Sequence, residues 1–111
     1  MQISFEKTKD VLIVKLQGEL DHHSSNYVRD KVDLEIMTSK LKSMILDMSD
    51  LNFMDSSGVG VIIGRYKLIS SEGGKLLITN MRPQIKRIYE ICGLNKIIPS
   101  FNTTKDAIEN M

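Results

Sequence analysis

The sequence predicts a single α/β domain built around a small, mostly parallel β-sheet with helices packed on it. Short β-branched apolar runs alternate with segments whose apolar residues recur at helical spacing, which is typical of strands joined by crossover helices. The chain is also 111 residues long, enough to bury one hydrophobic core without disulfides or metals. We therefore assign residues 1–111 to one domain.

The first two predicted strands form a hairpin. The runs "ISFEKT" (3–8) and "VLIVKLQG" (11–18) are separated by the polar pair Lys9 and Asp10, which favours a tight turn. Hairpin strands run antiparallel, whereas crossover helices join parallel strands. The predicted sheet is therefore mixed.

A helix and a buried strand follow the hairpin. Apolar residues recur at helical spacing from Tyr27 to Met37. Asp21 is the predicted N-cap of this helix, because aspartate accepts hydrogen bonds from the free N–H groups of a first turn. The run "SMILDM" (43–48) is short and apolar, as expected of a strand covered on both faces.

The second half of the chain continues this alternation. Gly73 and Gly74 end one helical segment, and Gly93 has the position of a left-handed cap after another. In chain order we predict a helix over 57–70, a strand over 75–79, a helix beginning at Pro83, a strand over 96–101 and a terminal helix over 103–111.

Composition excludes several classes of function. The formal net charge is +1 and the chain has no Trp, so nothing predicts a nucleic-acid-binding surface. The longest apolar stretch, "VGVIIG", is far too short to span a bilayer. The single cysteine, Cys92, allows no internal disulfide and suits a reducing compartment. We expect a cytoplasmic protein that binds neither nucleic acid nor membrane.

The motif "MDSSG" (54–58) lies where functional sites collect in such folds. It follows the strand that ends near Met48 and precedes the helix that starts near Ser57. Sites of parallel sheets lie beyond the carboxyl ends of the strands. The hydroxyls of Ser56 and Ser57 could be a nucleophile, a phosphate cradle or phosphate acceptors, and Asp55 or Ser56 could cap the helix.

Catalytic and metal-binding patterns fit these residues poorly. A serine hydrolase turn needs a glycine two residues before its serine, and neither serine has one. "GVGVIIG" (58–64) departs from the dinucleotide-binding pattern and falls inside a predicted helix. His22 and His23 are adjacent, so their side chains diverge on a helix, and no third ligand is near. We predict no enzyme activity, no metal and no cofactor.

A serine that accepts phosphate fits the position better. A helix N-terminus offers free N–H groups and the positive end of the helix dipole, and both favour an anion. A phosphate group adds about −1.5 to −2 charges, so it would change the surface that a partner contacts without unfolding the domain. The chemistry of the residues does not choose between Ser56 and Ser57.

Three segments together resemble the bacterial anti-sigma factor antagonists of the STAS domain family. "GELDHH" (18–23), "FMDSSGVGVIIGRYK" (53–67) and "ICGLNKII" (91–98) occur in the order and spacing of that family, and the resemblance covers essentially the whole chain. The 53–67 block is highly specific. Within the family the chain most resembles the sporulation antagonists that act on an anti-sigma-F factor. The family fold, a small sheet with packed helices, agrees with the alternation of elements.

The resemblance implies a regulatory switch. Unphosphorylated proteins of this kind bind an anti-sigma factor that is also a serine kinase with bound nucleotide, and they displace the sigma factor that it holds. The kinase phosphorylates the serine directly after the aspartate of the motif, and a PP2C-type phosphatase removes the phosphate. By this resemblance, Ser56 is the expected phosphorylation site.

Residues around the motif are expected to form the partner surface. Asp55 would orient the hydroxyl or repel the phosphate, and Met54 would be an exposed contact. Gly58 and Gly60 would keep side-chain bulk away from the kinase. The complete expected surface comprises Glu19, Asp21, Met54, Asp55, Ser56, Ser57, Gly58 and Gly60.

Two alternatives accompany this interpretation. The nearer is a general-stress antagonist of the same family, which would bind a different anti-sigma kinase. The other is an aspartyl-phosphate receiver or a small-ligand-binding domain. A receiver needs an acidic pair after an early strand, and the second strand here ends in Gly18 and Glu19 without one.

Overall fold

The computed structural model describes all of residues 1–111 and contains five strands and four α-helices. In chain order these are β1 (Gln2–Thr8), β2 (Val11–Leu20), α1 (Ser25–Ser39), β3 (Ser43–Met54), α2 (Ser56–Ser71), β4 (Leu76–Thr79), α3 (Pro83–Ile91), β5 (Ser100–Phe101) and α4 (Thr104–Glu109), with one turn of 3₁₀-helix at Leu94–Lys96. None of the helices is both long enough and apolar enough to cross a bilayer.

The strands form one mixed sheet whose spatial order follows the chain, β1-β2-β3-β4-β5. β1 pairs with β2 antiparallel, and every later pair is parallel. The crossover connections run through the helices, as the alternation of sequence patterns predicted. The predicted α/β fold with a mostly parallel sheet is confirmed.

The two faces of the sheet are covered unequally. α1, α2 and α3 pack on one face and bury a cluster of 20 residues, with Leu12, Leu46 and Ile78 contributed by the three central strands. On the other face α4 alone covers a cluster of five residues around Ile45 and Ala107. The sequence alternation within the central strands supplies both clusters, because successive side chains point to opposite faces.

β3 is longer than predicted. The sequence indicated a strand ending near Met48, since polar residues follow. In the structure β3 stays paired with β2 until Met54 lies opposite Leu20. The polar residues of this stretch lie at exposed or partly exposed positions, and Asp50 pairs with Lys15 across the strands, Oδ2 to Nζ at 3.2 Å. β3 therefore leads directly into α2.

The last strand is shorter than predicted. Residues 94–96 form the 3₁₀ turn, so only Ser100 and Phe101 of the predicted strand over 96–101 pair with β4. Ile98 is fully buried, and its carbonyl accepts a hydrogen bond from the Tyr89 hydroxyl instead of joining the sheet. The apolar residues in 96–101 therefore reflect burial of this segment and not pairing in the sheet.

Candidate functional site

The β2–α1 and β3–α2 junctions lie side by side at the carboxyl edge of the sheet. Leu20 and Met54, the last residues of β2 and β3, are opposite one another. The Asp55 N–H then donates to the Leu20 carbonyl at 3.3 Å. The segments 18–23 and 53–67, which are distant in sequence, therefore share one surface.

Asp55 is the N-cap of α2, which decides a point that the sequence left open between Asp55 and Ser56. Its backbone is extended, and its Oδ1 accepts a hydrogen bond from the Gly58 N–H at 3.1 Å. The other oxygen, Oδ2, accepts from the His22 N–H at 3.2 Å. One carboxylate thus satisfies a free N–H of the helix and ties the β2–α1 loop to it.

The Ser56 side chain is exposed to solvent and has no hydrogen-bond partner. Ser56 is the first residue of α2, and its hydroxyl makes no hydrogen bond to any other group of the chain. Ser57 is half-buried and equally unbonded. The histidines hydrogen-bond through their backbone N–H groups, to Asp55 and Asp21, and neither serine hydroxyl is paired with a histidine side chain. Of the two hydroxyls, that of Ser56 is the more exposed, and it lies at the positive end of α2.

The two motif glycines have different environments. A Cβ at Gly58 would lie 2.4 Å from the Leu20 carbonyl oxygen, and Gly58 is buried. A Cβ at Gly60 would meet nothing within 4 Å, and Gly60 is exposed. The expectation that Gly58 clears space for a partner is therefore wrong: its missing side chain lets α2 approach β2.

Met54 is also misplaced by the sequence interpretation. It is 1% exposed and belongs to the core, so it is not an exposed contact. Its neighbour Phe53 is 47% exposed instead. Strict alternation continued from Met48 would put Leu51 on the opposite face, yet Leu51 also lies in the core, because the register between β2 and β3 shifts along this stretch.

Asp21 shapes the β2–α1 loop but does not cap α1. The residue that precedes the helix is Ser24. Asp21 Oδ1 accepts hydrogen bonds from the N–H groups of His23 and Ser24 at 2.9 and 3.1 Å, and the Ser24 hydroxyl donates to the Glu19 carbonyl at 2.7 Å. The predicted N-cap was three residues early, because this turn satisfies Asp21 before the helix begins.

The loop is acidic and pre-ordered. The bonds from the Ser24 and His23 N–H groups hold the pKa of Asp21 below its ordinary value of 3.8, although desolvation acts the other way. The Glu19 side chain is exposed. With Asp55, these residues put three carboxylates on the two adjoining junctions.

The adjacent histidines are exposed, and their rings meet edge-on with centroids 5.7 Å apart. No three His, Cys, Asp or Glu side chains of residues 1–111 come together as a possible metal-binding group. The contribution of His22 to the site is its backbone N–H, which sequence inspection alone does not reveal.

The fold is a small α/β domain with an ordered junction at the carboxyl edge of its sheet, and comparison with known proteins gives its family. The model of the STAS domain family matches residues 2–107. The chain belongs to the STAS domain family, which confirms the resemblance recognised in the sequence.

The chain is similar to two anti-sigma factor antagonists over most of its length. It is 41% identical to the anti-sigma F factor antagonist of Paenibacillus polymyxa, over 100% of this chain and 95% of the relative. It is 28% identical to the anti-sigma-B factor antagonist of Bacillus subtilis, over 88% of each.

A solved relative agrees over nearly the full length. The phosphorylated form of the Bacillus cell fate determinant SpoIIAA has a TM-score of 0.74 and 29% identity, with 98% of each chain covered. The unphosphorylated form of the antagonist SpoIIAA has the same TM-score at 25% identity, covering 98% of this chain and 96% of that one.

Proposed function

We propose that this chain is an anti-sigma factor antagonist whose activity is switched by phosphorylation of Ser56. Unmodified, it binds a nucleotide-loaded anti-sigma factor serine kinase and releases the sigma factor held there. Phosphorylated by that kinase, it no longer binds, and a PP2C-type phosphatase restores it. It acts in the cytoplasm, has no catalytic activity of its own and needs no cofactor.

The observation that carries the proposal is the state of the Ser56 hydroxyl. It is exposed, free of hydrogen bonds and placed at the first position of α2. A kinase therefore reaches it without unfolding the domain. The phosphate that results lies at the positive end of a helix of 16 residues, where an anion is stabilised.

The surroundings explain why modification would end binding. Asp55 already occupies the capping position, and Glu19 and Asp21 contribute further negative charge from the neighbouring loop. A basic partner surface complements these carboxylates. Adding about −1.5 to −2 charges beside them places bulk and a strongly hydrated anion in that interface, where desolvation is costly.

The sporulation branch is the version of the proposal that the relatives favour. Identity is higher to an anti-sigma F factor antagonist than to an anti-sigma-B factor antagonist, 41% against 28%. SpoIIAA, which is described in both a phosphorylated and an unphosphorylated form, shares the fold over nearly the whole chain. The general-stress antagonist remains the alternative partner assignment.

The phosphoacceptor is tested by mass. With the cognate kinase and ATP, the intact mass of the protein should rise by one phosphoryl group, and Ser56→Ala should abolish the rise. Ser57→Ala is the matched control and should retain most of it. A phosphate on Ser57, or one that acid removes as it removes an aspartyl phosphate, would contradict the assignment.

A further inference from the structure

A cavity of about 420 Å³ opens between the C-terminal halves of α1 and α2. It lies about 18 Å along α2 from Ser56, at a rise of 1.5 Å per residue. Its size falls within the range of small-molecule sites. The apolar part of its wall consists of Ile36, Met37, Leu41, Leu68 and Ile69.

The walls of this cavity are fixed by backbone contacts. A Cβ at Gly74 would fall 1.8 Å from the Lys42 carbonyl oxygen, so the chain after α2 is pressed against the chain before β3. The Gly74 N–H also donates to the Ile69 carbonyl at 2.9 Å. At the end of α1, the N–H of Lys40 donates to the Ile36 carbonyl at 3.2 Å. The cavity is preformed, which lowers the cost of filling it.

An ion pair closes one side of the cavity. Asp33 on α1 and Arg65 on α2 approach to 2.8 Å, Oδ1 to Nε, although the N–H does not point at the oxygen as it does in an aligned hydrogen bond. The Arg65 side chain is only 11% exposed, and burial lowers its pKa while Asp33 opposes that shift. The charge of Asp33 is therefore already balanced and does not repel an anion.

The rim carries one unbalanced positive charge. Lys40, Lys42 and Glu72 line the cavity, and none of them forms an ion pair within 4.0 Å. Two ammonium groups against one carboxylate leave a net charge of +1. Met37, at the mouth of the cavity, is 72% exposed.

We propose that this cavity binds an aliphatic monoanion, a carboxylate with a medium-length alkyl chain. The alkyl chain would lie against Leu41, Leu68 and Ile69, and the carboxylate would meet Lys40 and Lys42 at the rim. The proposal is independent of the function of Ser56, because the two sites lie at opposite ends of α2.

The probe is decanoate, titrated below its micelle concentration into the full chain labelled with ¹⁵N. Saturable amide shifts are expected in residues 36–42 and 68–72, and not in α3. Decyltrimethylammonium and decanol have the same alkyl chain without the negative charge. Decanoate should bind about fivefold more tightly than either, the size of one or two exposed ion pairs.

Two matched substitutions localise the site. Met37→Asp puts an anion at the mouth and should weaken decanoate binding at least as much as removing the carboxylate does. Ile91→Asp on α3 changes a side chain of similar exposure, 76%, and should leave binding unchanged. Because both positions are exposed, both variants should keep the wild-type amide spectrum apart from shifts at the substituted residue and its neighbours.

Three outcomes would overturn the proposal. One is the absence of saturable shifts, and another is equal affinity for the cationic amphiphile. The third is a set of shifts in residues 36–42 that depends on protein concentration alone, which would mean that a second copy of the chain covers the cavity.

Discussion

Asp55 organises the junction at the level of single residues, and it does so with both carboxylate oxygens. Oδ1 caps α2 through the Gly58 N–H, while Oδ2 holds the His22 N–H of the neighbouring loop. Ser56, the next residue, contributes no hydrogen bond. The residue that stabilises the start of the helix and the residue with the unbonded hydroxyl are therefore adjacent but separate.

Substitutions at these two positions should differ in their effect on stability. Ser56→Asp should change the free energy of unfolding by no more than about 0.5 kcal/mol, because an exposed, unbonded hydroxyl is replaced at a helix end that tolerates an anion. Asp55→Ala should cost about 0.5–2 kcal/mol through the lost cap. Urea denaturation measures both. A large loss in Ser56→Asp would show that Ser56 is a structural cap.

Asp21 should make part of the stability depend on pH. Its folded-state pKa lies below the ordinary 3.8 because backbone N–H groups of Ser24 and His23 stabilise the carboxylate. The contribution is thus present above pH 3.8 and disappears as the pH falls through the folded-state pKa. The stability difference between wild type and Asp21→Ala should therefore shrink on acidification.

The control for this measurement is Asp21→Asn, which keeps an acceptor oxygen but cannot titrate. Urea midpoints of the three proteins should be compared at neutral pH and near pH 3. A gap between wild type and Asp21→Asn that stays constant over this range would contradict the role assigned to the carboxylate.

At the level of secondary-structure elements, one glycine sets how closely the start of α2 approaches the end of β2. Gly58 allows the helix backbone to reach the end of β2, whereas Gly60, two residues on, faces solvent. The two glycines of one motif therefore contribute differently to the stability of the fold. The spacing of the two glycines suggests that both leave one face of the helix free of side chains. Only the contact of Gly58 with Leu20 distinguishes the two positions.

Alanine substitutions should expose this difference. Gly58→Ala forces a methyl group against the Leu20 carbonyl and should destabilise by about 1–3 kcal/mol. Gly60→Ala meets open space and should stabilise by up to about 1 kcal/mol, the helix-propensity gain. Thermal or urea unfolding of the pair provides the test. Equal effects would mean that α2 does not approach β2 as closely as described.

The elements also show which parts of the structure local patterns predict. The spacing of apolar residues, with glycine and proline marking the ends of elements, predicts the mostly parallel sheet. It also predicts α1, α2 and α3. It does not predict the end of β3, because the pairing of Asp50 with Lys15 is a cross-strand contact. Met54 was misassigned for the same reason, since the direction of its side chain depends on how far β3 continues.

The sequence predicted the position of the site but not the hydrogen bonds within it. Its position at the carboxyl edge follows from topology, and the motif at 53–67 identifies the family. The turn around Asp21 and the bond from His22 to Asp55 are tertiary details that spacing does not encode. The choice of Ser56 over Ser57 came from resemblance. The structure adds that Ser56 is the more exposed of the two.

Across the molecule, the distribution of charge connects the site to its proposed partner. The net charge is only +1, yet Glu19, Asp21 and Asp55 lie on two adjoining junctions at the carboxyl edge of the sheet. A local acidic surface on a nearly neutral protein favours orientation of a basic partner over general attraction. Binding should accordingly be sensitive to charge at Ser56 and insensitive to the loss of its hydroxyl.

Release of the sigma factor should depend on the charge at position 56. If Ser56 lies in the interface, an unpaired phosphate there costs on the order of 2–5 kcal/mol, roughly a factor of 30 to several thousand in affinity. Ser56→Asp should reproduce much of this loss, whereas Ser56→Ala should bind like wild type. Titrating each form into a labelled kinase–sigma complex measures release directly, with Ser57→Ala as the neighbouring control. Equal release by the phosphorylated protein and by Ser56→Ala would refute the switch, because phosphate would then have no effect on the interface.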